Sequence, residues 1–222
     1  MDPNADIPTS LDNLRTLHIN SDLPLDAFFD SFAFPALSII SISNSPNEYE
    51  EHREFAAPDW TQPSFLNLLQ RSKAPLKCLR LAVTMSESDL IECLACVGGT
   101  LQVLAVESVD RIPFLTGEAA RFMSHHIDAG VVTCTCPKLE QIHFGRNIVM
   151  PLANDVLGNL AESRWSDEGH LSHRQWCSPN LTAFQWEVEQ GVVPPADIRR
   201  LAKLKQAGMP ISSGYLHDLF DS

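Results

Sequence analysis

The residues of this chain with the most obvious chemistry are its six cysteines and eight histidines. Cys93-x-x-Cys96 and Cys134-x-Cys136, with His125-His126 close by in sequence, offer enough soft donors for a tetrahedral zinc site. Packing accounts for the same residues. Cys93 and Cys96 fall on the apolar side of a helical pattern with Leu90, Leu94 and Val97, where a free cysteine behaves as a small hydrophobe. Cys136-Pro137 stands just ahead of an apolar strand pattern, as Ala74-Pro75 and Ser178-Pro179 do elsewhere. The Cys-x-x-Cys pair also lacks the strand-then-helix setting of a thiol-exchange motif. The expectation is therefore no metal, no disulfide and no cofactor.

Hydrolysis is the other chemistry to weigh. The chain has no Gly-x-Ser-x-Gly elbow, no His-Glu-x-x-His and no phosphate-binding glycine loop. His18 and His143 occupy equivalent places in a repeated pattern, but several strand spacings of about 4.8 Å should separate them. They could not act on one small substrate. The chain reads as a protein that is not an enzyme, with a metal- or thiol-dependent activity as the weakest alternative.

The pattern that positions these residues is plainest at Leu139-x-x-Ile142-x-Phe144, with Asn147 ninth counted from Leu139. It recurs at Leu14-Leu17-Ile19, Leu37-Ile40-Ile42, Leu76-Leu79-Leu81, Leu101-Leu104-Val106 and Leu181-Phe184-Trp186. This is the leucine-rich-repeat signature, in which alternate residues of a short strand enter a shared core. Amphipathic segments follow most copies. The fold class predicted is α/β: one domain over residues 1–222, a leucine-rich-repeat-like solenoid with a parallel sheet on its concave face and helices on its convex face. Its crossovers should be right-handed. Leu79, Leu81, Leu104, Val106, Ile142 and Phe144 should be core.

Along the chain, strands are expected over Leu11–Asn20, Leu37–Ser43 and Leu181–Val188, with others starting at Leu76, Leu101 and Leu139. Helices are expected at Leu25–Phe32, at Ser64–Gln70 with Ser64 as N-cap, after Ser86, at Gly117–Ile127 and at Leu152–Trp165. Gly98-Gly99 should close the helix that begins after Ser86. Irregular loops are expected near 44–63, rich in Glu, and near 166–179. A C-terminal capping helix near 196–207 should turn Ile198, Leu201 and Leu204 inward, and the tail after Pro210 should fray.

Composition bounds the partners. With 44% hydrophobic and 20% charged residues the chain can bury a continuous core. A net charge of −12 argues against nucleic acid, which needs clustered Lys and Arg. No run approaches the roughly 20 apolar residues of a membrane helix. Residues 1–6 lack the basic and apolar parts of a signal peptide, so the chain is expected in the cytosol or nucleus, with no membrane partner. Asn180-Leu181-Thr182 matches the glycosylation sequon but reads as the start of a repeat strand.

What remains is the face that strand alternation lays out. With Leu17 and Ile19 inward, Thr16, His18 and Asn20 face out, then Ile39, Ser41 and Ser43, Cys78 and Arg80, and Val103, Ala105 and Glu107. Gln141 and His143, then Ala183, Gln185 and Glu187, complete it. Arg80, Glu107, Gln141, His143 and Gln185 are the residues expected to contact an unidentified protein partner, Arg80 being the one strong cation among them.

Pro75–Leu81, Cys136–Ile142, Leu160–Trp165 and Ile198–Lys205 with Gly208-Met209 resemble the C-terminal leucine-rich part of fungal F-box-like proteins. The resemblance implies a substrate-recruiting repeat domain of a ubiquitin ligase, in which a separate F-box of about three helices binds the Skp adaptor. This chain runs directly into a repeat strand at Leu14, so these residues are not expected to bind that adaptor. A free-standing leucine-rich scaffold unrelated to ubiquitin is the alternative.

Overall fold

The structure is a computed structural model, and it describes residues 7–44, 60–107, 109, 115–128, 131–133, 135–145, 155–165, 181–186 and 193–213. The first elements in chain order are β1 (Thr9–Ser10), β2 (Thr16–Asn20), α1 (Asp26–Ser31), β3 (Phe32–Ala33), β4 (Ile39–Ser43), α2 (Gln62–Ser72), β5 (Cys78–Ala82), α3 (Glu87–Val97) and β6 (Val103–Glu107). They are followed by α4 (Glu118–Met123), β7 (His126–Asp128), β8 (Val131–Thr133), β9 (Gln141–Phe144), α5 (Val156–Arg164), β10 (Ala183–Trp186), α6 (Pro195–Gln206) and β11 (Ile211–Ser213).

Seven strands form one parallel sheet whose spatial order, β2-β4-β5-β6-β9-β10-β11, follows the chain. Each helix lies between consecutive strands of that sheet, and α1 to α6 touch one another in sequence. The apolar spacing explains the register. Leu17, Ile40, Leu79, Leu104, Ile142, Phe184 and Ile211 stand side by side in one row. Ile19, Ile42, Leu81, Val106, Phe144 and Trp186 form a second. All but Leu17 and Ile19, on the outermost strand, are buried.

The first leucine of each copy lies two residues ahead of its strand. The following residue offers its carbonyl to two amides of the next copy: Arg15 to Ser38 and Ile39, Ser38 to Lys77 and Cys78, Lys77 to Gln102 and Val103. Gln102 serves Glu140 and Gln141, and Glu140 serves Thr182 and Ala183, with distances from 2.7 to 3.2 Å throughout.

Charged side chains tie the helix layer together. The Arg71 guanidinium, in the last turn of α2, donates to the carbonyls of Phe29 and Phe32 at the end of α1. Arg164, 2% exposed, does the same from α5 to Met123 at the end of α4, and also reaches Cys136 O at 3.0 Å. Glu87 accepts from the amides of Gly117 and Ala119 at 3.0 and 2.8 Å, so a carboxylate from α3 caps the start of α4.

Several elements differ from the sequence reading. The strand expected over Leu11–Asn20 begins only at Thr16, as β2, because Leu14 turns back to bond Leu11 O. Helix α2 starts at Gln62, ahead of Ser64: Pro63 is pre-organised for a first turn, and Ser64 instead bonds Asp30. Gly98 closes α3 in a right-handed conformation, and its missing side chain makes room for Thr135 O, 2.5 Å from where a Cβ would stand. The helix expected over Gly117–Ile127 stops at Met123. His126–Asp128 instead pairs antiparallel with Val131–Thr133. Of the tail after Pro210, Ile211–Ser213 form strand β11, held by Ile211, which is 6% exposed, and by Phe184 N donating to Pro210 O, while residues 214–222 lie outside the described residues. Helix α6 is therefore a crossover rather than a terminal cap, although Leu201 is fully buried and Ile198 and Leu204 pack on the core as expected. β1 pairs with β3, a contact the repeat pattern does not announce. The expected helix start at Leu152, strand end at Val188 and the loop near 166–179 lie outside the described residues, as does all of the loop near 44–63 except Asn44 and residues 60–63.

Leu104→Ala should cost about 2–5 kcal/mol, since its site between Leu79 and Ile142 is closed by neighbours that cannot collapse freely. Equilibrium urea unfolding measures it, and a change under about 0.5 kcal/mol would mean that the row is not the packed seam of the core.

A second prediction concerns the joint between α5 and α6. Asp197 is fully buried there and accepts from Gly158 N at 2.9 Å. Burial holds its carboxyl above the usual range, and the Gly158 amide opposes that only in part. A raised carboxyl keeps its proton in the folded state at a pH where the unfolded chain has lost it. The joint is thus most stable below the ordinary carboxylate pKa and weakens as pH rises through the raised value. Asp197→Asn keeps an acceptor for Gly158 and should flatten this slope. Urea midpoints of both proteins between about pH 4 and 7 provide the comparison, and parallel curves would contradict it.

Candidate functional site: the open face of the sheet

Helices cover one side of the sheet, so the alternate residues of each strand stand on the other. Three further rows result. The central one runs His18, Ser41, Arg80, Ala105, His143, Gln185 and Ser212. On one side of it lie Thr16, Ile39, Cys78, Val103, Gln141 and Ala183, and on the other Asn20, Ser43, Ala82 and Glu107.

Side-chain size shapes this face. Arg80 has Ser41 and Ala105 as lateral neighbours, and Ala82 follows it on its own side of β5. These small groups leave a depression of about 450 Å³. All five residues expected to form a site, Arg80, Glu107, Gln141, His143 and Gln185, line it. Arg80, Glu107 and Gln141 are exposed, while His143 and Gln185 are half-buried. The sequence reading did not single out Ser41, Ser43, Ala82 and Ala105 as site residues. Their signal is the same alternation, combined with small volume beside a long cation. Cys78 is a correction: it stands in an outward row but is 8% exposed, crowded by Ile39 and Val103 on the neighbouring strands. Glu187 lies outside the described residues.

Glu107 and Arg80 do not pair. Glu107 instead lies over Gly145, whose Cβ, if present, would stand 2.1 Å from Glu107 Cγ. Among the described residues, none forms an ion pair with Arg80. The guanidinium is thus a cation in a shallow basin, with the carboxylate of the adjacent row, Glu107, lying over Gly145.

The described cysteines differ in their surroundings. Cys93 is fully buried, and burial pushes its thiol up to about 12, which removes it as a nucleophile near neutrality. Cys96, expected on the apolar side of the same helix, is instead exposed, while Cys136 is buried as expected; Cys134 lies outside the described residues. Among the described residues no group of three or more His, Cys, Asp or Glu side chains is placed to hold a metal ion. His18 and His143 share the central row but stand four strand steps apart, about 19 Å at the usual spacing. No helix among the described residues is long and apolar enough to cross a membrane.

Compared with protein-family models, with curated proteins and with solved structures, the chain matches none.

Gly145→Ala should displace Glu107 and lower stability by about 1 kcal/mol, the smaller end of the cost of overpacking because the side chain is at the surface. Adding Glu107→Ala should relieve most of that loss. A double-mutant cycle on unfolding free energies tests this, and strictly additive effects would show that the two residues do not share the space.

Proposed function

We propose that this chain is a protein-recognition module. In this reading it is a leucine-rich-repeat-like solenoid that turns the open, concave face of its sheet toward a polypeptide partner, with its helices on the convex side. The resemblance of Pro75–Leu81, Cys136–Ile142 and the last helix to the leucine-rich part of F-box-like proteins supports a more specific role. That role is recruitment of a substrate to a ubiquitin ligase, with the Skp adaptor bound by an F-box that is not among these repeats.

The observation that carries the recognition role is the one-sided cover of the sheet. Among the described residues six helices protect the core, while Arg80, Glu107, Gln141, His143 and Gln185 converge on one basin of about 450 Å³. Interface anchors are typically Arg, Trp or Tyr set in a pocket, and Arg80 is such a residue in the middle of the sheet. The internal repetition of the strand-start carbonyls supports reading the architecture as stacked repeats.

Proximity labelling with the wild-type chain, repeated with Arg80→Glu on the open face and Lys203→Glu on α6, tests this reading. Arg80→Glu should reduce labelling of the specific partner by about tenfold, while Lys203→Glu should leave it intact. The reverse pattern would move the interface to the helix layer. Purified Skp adaptor should not bind the 222 residues. A partner whose cellular lifetime lengthens when the chain is depleted fits recruitment to a ligase; an unchanged lifetime would favour a scaffold unrelated to ubiquitin.

A further inference from the structure

We infer that the partner segment seated on the open face presents a carboxylate side chain, Glu or Asp, to Arg80. This rests on the recognition reading above and names the chemistry that the face accepts.

The inference follows from what occupancy does to Arg80. The residue stands on β5 with two strands of the sheet on one side and four on the other, far from either edge. Its neighbours Ser41, Ala105 and Ala82 carry no charge. Any segment that fills the basin takes the guanidinium out of water. A desolvated cation is tolerated only when a charged or strongly polar group replaces its hydration, and a planar guanidinium is best satisfied by a carboxylate in two parallel hydrogen bonds.

The protein itself is not arranged to supply that group. Glu107, the carboxylate in the adjacent row, is folded over Gly145. No other described residue pairs with Arg80. The partner must therefore bring the anion.

A carboxylate fits better than a phosphate. One guanidinium balances one negative charge, whereas a phosphoryl group carries about two and is ordinarily met by several cations. Here Glu107 is close by and the whole chain has a net charge of −12, both of which oppose a doubly charged ligand. A lysine-bearing segment would face Arg80 as a like charge.

The test uses fluorescein-labelled peptide pools that are alike except for a central Glu, Gln, Lys or phosphoserine, titrated by fluorescence polarisation against the full chain. The Glu pool should bind at least about tenfold more tightly than the Gln pool, and Arg80→Gln should erase that preference. Ala105→Trp, which fills the basin beside Arg80, should block all binding, and Glu107→Gln should tighten the Glu pool by removing a like charge. All three variants alter side chains on the open face, and unchanged circular dichroism melts would show that they fold. Equal binding of Glu and Gln pools, a preference that survives Arg80→Gln, or a preference for Lys or phosphoserine would overturn the carboxylate assignment. If Ala105→Trp still blocked binding in those cases, the open-face reading would stand without it. Binding that persists in Ala105→Trp would overturn the open-face reading itself, and failure of every pool to bind would count against both.

Discussion

The carbonyl just ahead of each of the first five strands of the sheet, shared between two amides at the start of the next strand, is the contact on which the rest of this structure depends. Arg15, Ser38, Lys77, Gln102 and Glu140 repeat it five times. It sets where each strand begins relative to its neighbour, and so it sets the register. With side chains alternating every residue, a slip of one position would turn Leu79 and Leu104 out and Arg80 and Ala105 in. The leucine two residues ahead of the strand anchors the same point in β4, β5, β6, β9 and β10: Leu37, Leu76, Leu101, Leu139 and Leu181 are all nearly fully buried, while Leu14 ahead of β2 is half-buried. Backbone pairing and core packing therefore select the same register.

That constraint has an asymmetric result. The helix layer lies against one side, fastened by Arg71, Arg164 and Glu87 to the ends of neighbouring helices. The core beneath it carries an aromatic cluster toward each end of the chain: Phe28, Phe29, Phe32, Phe34, Trp60 and Phe65 near the start, and Phe144, Phe184 and Trp186 near the end, with ring centroids 4.9 to 6.2 Å apart. Among the described residues no helix layer covers the other side. Its chemistry is decided by residue size in three outward rows, and the small residues around Arg80 give it one basin rather than a flat surface.

Much of this is legible in the sequence because period-two alternation is a local signal. Leu-x-x-Leu-x-Leu places Leu79, Leu81, Leu104, Val106, Ile142 and Phe144 in the core, and Arg80, Glu107, Gln141, His143 and Gln185 on one face. The structure shows the first group buried and the second lining one depression. What escapes the reading depends on distant partners. Glu87 looks like a helix-start acid of its own helix and instead caps α4. Ile211 looks like part of a polar tail until Phe184 stands beside it. Gly145 has no local reason to be glycine; its reason is the Glu107 side chain that lies over it. Asp197 resembles an ordinary first-turn acid and is buried because α5 closes over it.

The central claim, that the basin around Arg80 is where a polypeptide partner sits, is tested most directly by nuclear magnetic resonance mapping of the complex with an identified partner. The Arg80 side-chain Nε–H and the amides of Ser41, Arg80, Ala105 and His143 should shift together on saturation, while those of α2, α3 and α5 stay in place. Shifts confined to the helix layer, with the Arg80 signal unmoved, would contradict the account.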